Sequence, residues 1–276
     1  MIEGMRKRGE HVRIWNRTAE KARALGHALG QEGVEVCTDA ADAVRGAARV
    51  HIAVSDDAAA DTVLEGLTGK LEAKTPVIDH STTSPAGAAA RYAKLESRGV
   101  SFLHAPVFMS PQACRDAGGM MLASGPRARF DAIEPALKTM TGAVWWIGER
   151  PDLAASFKLF GNAMILTITG GVADVLTLAR ALDIPGEDAL SLFAKFKPAP
   201  PTIDIRGAKM ARGDFEASFE MTMGRKDLRL MLESAAAKSD APLTVLPAIA
   251  SRFDALIAEG HGAKDIGALA LAAAKK

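Results

Sequence analysis

Lys158 and Asn162 are the residues whose type and spacing first suggest chemistry. They stand four apart in a long apolar segment, Ala154 to Leu182, which reads as a single helix, so both side chains share one face. Two polar groups on such a face need a reason, because burying them without partners costs free energy. A lysine held there can give and take a proton. The plainer alternative is a lysine snorkelling from the helix start while Asn162 faces solvent. A second group, Asn16-Arg17-Thr18, follows an apolar run, Val12–Asn16. An acidic residue there would hold a ribose 2′-hydroxyl. A neutral Asn followed by Arg suits a 2′-phosphate instead, because a guanidinium grips phosphate in a fork. A helix cap at Asn16 or Thr18 beside a solvated Arg17 fits the same residues. Ser55-Asp56-Asp57 has the form of a helix cap with acids in its first turn.

The elements that must position these residues fall into two halves. Val12–Asn16, Val50–Ser55, Val77–His80, Phe102–Val107, Met120–Ser124 and Val144–Ile147 read as strands. Thr18–Leu29, Ala58–Gly66 and Pro85–Ser97 read as helices between the earlier ones. This alternation predicts a parallel sheet flanked by helices. Ser84-Pro85 supplies an N-cap and a first-turn proline, and Gly99 closes that helix. After about residue 150 only helices are expected: Ala154–Leu182, Asp188–Phe196, Lys226–Lys238, Thr244–Glu259 and Lys264–Ala274. Lys197-Pro198-Ala199-Pro200-Pro201 reads as a stiff loop. The expected fold class is therefore α/β, a Rossmann-type domain over 1–150 followed by an all-α domain over 151–276.

A dinucleotide-binding domain normally opens with a strand and a Gly-x-Gly-x-x-Gly turn, whose amides meet the pyrophosphate. That motif does not occur. Met1–Arg8 reads as the helix that would follow the turn, and Val12–Asn16 as the second strand. The first strand and its glycine loop are thus expected to be missing. A start site placed too far downstream is a simpler reading than a natural remnant.

Composition narrows the function classes. With 34 Lys and Arg against 33 Asp and Glu, the net charge of +1 lacks the footprint of a dedicated nucleic-acid binder. Cys37 and Cys114 suit a reducing compartment, and the cytoplasm is the expected location. No unbroken apolar run of membrane-spanning length is read. The six histidines show no metal-ligand spacing, and no serine nucleophile elbow occurs.

Four segments together resemble the β-hydroxyacid dehydrogenase family, which includes 3-hydroxyisobutyrate dehydrogenase and glyoxylate or succinic semialdehyde reductases. They are Val12-Arg13-Ile14-Trp15-Asn16-Arg17-Thr18 with Glu20-Lys21-Ala22; Asp79-His80-Ser81-Thr82-Thr83-Ser84-Pro85; Ala105-Pro106-Val107; and Lys158-Leu159-Phe160-Gly161-Asn162 with Lys226-Asp227-Leu228-Arg229-Leu230. Their order and spacing cover almost the whole chain. The resemblance implies Lys158 as catalytic acid/base and Asn162 as the residue that orients substrate. It implies Ser55, Asp56 and Thr82 on the cofactor side, with Thr82 near the nicotinamide. Lys226 would reach back to the nicotinamide and substrate region, with Asp227 supporting the start of its helix. With Asn16-Arg17-Thr18 at the end of the second strand, the expected cofactor is NADP rather than NAD. The implied substrate is a small β-hydroxy acid or short aldehyde acid, and the assembly a homodimer or homotetramer.

The pattern breaks after Ala105-Pro106-Val107. There the family carries Ser-Gly-Gly, which holds the substrate carboxylate, and this chain has Phe108-Met109-Ser110-Pro111-Gln112. Ser110 or Gln112 would supply replacement contacts, or Phe108 and Met109 would wall the site for a bulkier substrate. His104 replaces an acid often found before Ala-Pro and reads as structural. Two alternatives stay open: an imine reductase, against which Lys158 argues, and a catalytically silent binding or oligomerisation protein.

Overall fold

The computed structural model describes residues 1–30, 32–67, 69–72, 75–181, 184–195, 203–236 and 245–274. The chain forms two compact units, Met1–Lys158 and Leu159–Lys276. The division falls inside a long helix.

The first unit alternates strands and helices as the sequence predicts. In chain order it contains α1 (Ile2–Lys7), β1 (Val12–Ile14), α2 (Ala19–Leu29), β2 (Val34–Val36), α3 (Ala40–Val44), β3 (Val50–Ile52), α4 (Asp57–Leu67), β4 (Val77–Asp79) and α5 (Pro85–Glu96). There follow β5 (Phe102–His104), β6 (Val107–Phe108), α6 (Pro111–Arg115), β7 (Met120–Ser124), α7 (Arg127–Lys138) and β8 (Ala143–Gly148). Sequence reasoning overlooked β2, α3, α6 and α7. β2 and α3 are short, and α7 carries Pro135 inside it. The expected strand Phe102–Val107 is two strands, broken at Ala105-Pro106 where proline cannot donate to a ladder.

β3, β4 and β5 run parallel, with Ile52, Asp79 and His104 in one row at their C-terminal ends. β7 is antiparallel to β5 and β6 and parallel to β8, completing a six-stranded mixed sheet. β1 and β2 form a separate parallel ribbon. On β1, Val12 donates to Gly33 and Ile14 accepts from Cys37; on β3, Val50 donates to Pro76 and Ile52 accepts from His80. Strand alternation therefore turns the peptide groups of Arg13 and His51 to the opposite edges. No ladder joins β1 to β3. Glu10 and Arg49, just before these strands, form an ion pair. Met5, Val12 and Ile14 share a core with Ile78, Leu103, Met121, Phe130 and Leu137, while β3 and α4 pack around Val77, Leu95 and Phe102.

Ser84 caps α5, its hydroxyl accepting from Gly87 N–H at 3.0 Å, with Pro85 in the first turn. A Cβ at Gly87 would stand 2.0 Å from an Asp57 carboxylate oxygen, so a larger residue there would displace that carboxylate.

The second unit is helical among its described residues. α8 (Leu153–Ala181) begins in the first unit, and α9 (Gly186–Lys195) follows. A π-helical turn Ile203–Gly207 leads into α10 (Ala208–Ala211), and then come α11 (Met221–Ala236), α12 (Leu246–Leu256) and α13 (Leu271–Ala274). α11 starts at Met221, so Lys226 and Asp227 lie in its second turn, not at its start as the sequence predicts. The Lys197–Pro201 loop and the expected helix limits at Leu182, Phe196, Lys238 and Thr244 fall outside the described residues. The core comprises Leu166, Met221, Leu228, Phe253 and Leu256, each fully or almost fully buried. By length and composition alone, α8 is apolar enough over Leu153–Gly170 to cross a membrane. Buried Lys158 and Asn162 interrupt that segment.

Candidate active site

The first unit gathers its polar loops at the C-terminal ends of parallel strands, where open α/β sheets bind ligands. After β1, Asn16 Oδ1 accepts from Thr18 N–H at 2.8 Å, and Thr18 occupies the α2 N-cap without a side-chain bond. Arg17 is exposed. It makes no hydrogen bond or ion pair among the described residues, so its guanidinium can accept an anion.

After β3, Ser55 Oγ donates to Asp56 Oδ2 at 2.8 Å, and Asp56 Oδ1 accepts from Ala59 N–H at 2.8 Å. Asp56 thus caps α4, as its residue type allows. Asp57 accepts from Ser84 N–H at 3.0 Å and pairs with Arg91 at 2.9 Å. This carboxylate ties the loop after β3 to the loop after β4, which carries half-buried Thr82.

Beneath the second loop lies a charge cluster that sequence reasoning did not single out. Arg91 is 3% exposed, pairs with Asp61 at 3.2 Å and lies 4.0 Å from Asp79. Asp79 Oδ1 accepts from Ser81 N–H, and its other oxygen is 3.6 Å from His104 Nδ1. Burial pushes the Asp79 carboxyl up; the His104 imidazole and Ser81 outweigh it and hold the group below its ordinary range. His104 is buried in this cluster, in line with its structural reading. Asp79 was visible in the Asp-x-Ser-Thr segment. Its partner Arg91, on α5, carried no local signal.

A second buried line runs through two histidines. Arg49 Nε donates to His51 Nε2 at 2.9 Å, His51 Nδ1 meets His80 Nε2 at 2.8 Å, and His80 Nδ1 meets the Ala105 carbonyl at 2.7 Å. A carbonyl only accepts, so His80 donates from Nδ1. Each ring then donates from Nδ1 and accepts at Nε2, and both are neutral. Burial lowers the His80 pKa to about 4. Burial, His80 and Arg49 together lower His51 well below its ordinary value.

Lys158 closes the first unit. Ser124 Oγ accepts from Ala154 N–H at 3.0 Å and donates to the Pro151 carbonyl at 2.9 Å, anchoring the start of α8 to β7. The Lys158 side chain is 8% exposed, with Nζ 4.2 Å from the centre of the Phe108 ring. It is buried rather than snorkelling.

In the second unit, buried Asn162 donates from Nδ2 to Asp227 Oδ2 at 2.5 Å. Lys226 Nζ lies 2.8 Å from the other oxygen of Asp227. A carboxylate accepts only, so this contact fixes which way the Asn162 amide points. Asp227 therefore orders two of the expected site residues, a role that its assignment to a helix start did not foresee. Ser110 and Gln112 are exposed and used locally. Ser110 Oγ caps α6 by accepting from Ala113 N–H at 3.1 Å, and Gln112 donates to Asp116 at 2.6 Å.

Residues 1–148 match the NAD-binding domain of 6-phosphogluconate dehydrogenase. The chain belongs to that family. The fold agrees. A 3-hydroxyisobutyrate dehydrogenase from Mycobacterium tuberculosis superposes with a TM-score of 0.86 at 21% identity, covering 98% of this chain and 93% of that one. The Salmonella typhimurium enzyme of the same name gives 0.85 at 20% identity, covering 98% and 94%. An imine reductase from Myxococcus stipitatus gives 0.61 at 20% identity, covering 97% and 93%. The human cytokine-like nuclear factor N-PAC is 27% identical over 235 residues, 84% of this chain. The chain spans only 42% of that relative's length.

Proposed function

We propose that this family member is an NADP-dependent oxidoreductase that interconverts a small hydroxy compound and its carbonyl, with Lys158 as the acid/base. The buried placement of Lys158 at the start of α8 carries this reading. In reduction, the carbonyl carbon takes a hydride, supplied by the bound nicotinamide, and the oxygen takes a proton from the Lys158 ammonium. In oxidation, the hydroxyl proton goes to the Lys158 amine. Asn162, ordered by Asp227, orients the substrate, and Lys226 lies beside the same carboxylate.

For the cofactor, Arg17 and the Asn16–Thr18 turn fit a ribose 2′-phosphate, while Ser55, Asp56 and Thr82 line the strand ends beside it. A glycine-rich cradle for the diphosphate does not occur among the described residues. The small β-hydroxy acid or short aldehyde acid implied by the family resemblance would draw on Ser110 and Gln112, both engaged locally. Exposed Phe160 and Met164 on α8 suit a homodimer or homotetramer. Free Cys37 and Cys114 suit a reducing cytoplasm.

Fluorescence titration with NADPH and NADH tests the assignment, and NADPH is expected to bind more tightly. Binding of neither favours the second reading, a silent binding module. That reading draws support from the similarity to the nuclear-factor relatives.

A further inference from the structure

The ammonium of Lys158 rests against an aromatic face, 4.2 Å from the Phe108 ring centre. A ring face attracts a cation through its quadrupole and repels an anion. The sheet sets this ring in place. Phe108 pairs with Met120 across β6 and β7. Gly119 at φ +74° lets the two strands close, since a Cβ there would stand 2.5 Å from the Phe108 carbonyl oxygen.

The polar groups that follow the ring make local contacts. Ser110 caps α6, Pro111 has no N–H to offer, and Gln112 bonds Asp116. Among the described residues of the first unit, a substrate carboxylate at Lys158 would meet a ring face and draw on the ammonium that the proton step needs. Stripping its hydration without a dedicated partner is costly.

We propose that Phe108 is the specificity-determining residue that makes this a site for neutral carbonyl and alcohol substrates, with an apolar or uncharged polar substituent where a hydroxy acid carries its carboxylate. The inference rests on Lys158 as the acid/base and narrows the substrate class of that site. The reaction balance is unchanged: hydride to carbon, proton to oxygen, nicotinamide oxidised.

The test compares 3-hydroxyisobutyrate with its methyl ester, which share a skeleton and differ in charge. Each is titrated against the full chain with NADP present, reading tryptophan fluorescence. The ester is expected to bind about tenfold more tightly or better, the effect of roughly one unsupported polar contact. In Phe108→Ser the ratio is expected to fall to about one or reverse, and Phe108→Leu, which keeps an apolar wall, is expected to retain a preference for the ester. Tighter binding of the acid, binding of neither compound, or an unchanged ratio in Phe108→Ser would overturn the proposal. Turnover separates it from the reading beneath it. An ester that binds tightly but is not oxidised leaves the substrate class standing and removes Lys158 as acid/base. An acid that binds more tightly and is oxidised does the reverse.

Discussion

Val77, Ile78 and Asp79 of β4 are buried, with a ladder on each side, whereas Val34, Glu35 and Val36 of β2 are half-buried or exposed, with a ladder on one. Both regions are short parallel strands that end in polar loops. Those of the six-stranded sheet are pinned by Arg91, Asp57 and the Asp79–His104 row. The loop of the ribbon carries Arg17 in solvent. Residues that must meet a reacting atom within a few tenths of an ångström need rigid support. A residue that selects a charged cofactor tolerates a looser mount, because charge attraction acts over a longer range. The chemistry is accordingly expected to depend on the sheet, and cofactor choice on the ribbon.

The largest expected effect lies on the sheet side. Lys158→Ala should lower kcat/KM by about 10²–10⁴-fold, the usual contribution of a general acid or base; turnover near the parent rate would end its assignment. Next comes the Arg91 cluster. Arg91→Met leaves Asp57 and Asp79 without their cation and should cost about 3–5 kcal/mol in denaturant unfolding. A loss below about 1 kcal/mol would show that the two regions are held equally loosely.

Acid should act on the sheet as well. His80 is neutral when folded, with its pKa lowered from 6.5 to about 4, so between these values the unfolded chain binds more protons. Stability should therefore fall as pH drops from about 6.5 to about 4, by at most about 3 kcal/mol, and level off below. A flat profile across that window would remove the buried neutral pair. The smallest effect belongs to the ribbon. Arg17→Ala should weaken NADPH about tenfold, leave NADH unchanged and shift stability by less than about 0.5 kcal/mol. Equal losses for both cofactors would detach the ribbon from phosphate recognition.

Much of this was legible in the chain. Alternating apolar runs announced β1, β3, β4 and β7, and Ser84-Pro85 announced α5 to within a residue, because capping and strand alternation are local. The four-residue spacing of Lys158 and Asn162 put both on one helix face. β2, α3 and α6 escaped notice, since elements this short carry less signal than the packing that stabilises them.

What folding alone decided are the partners distant in sequence. Asn162 meets Asp227 across 65 positions, Arg91 meets Asp61 across 30, and Lys158 meets the Phe108 ring from another element. Residue types and periods in the chain determined which groups could ionise, cap or line a helix face. Which of them lost water, and against what, was settled by long-range packing. Desolvation by that packing gives His80 its lowered pKa and places an aromatic face against the Lys158 ammonium.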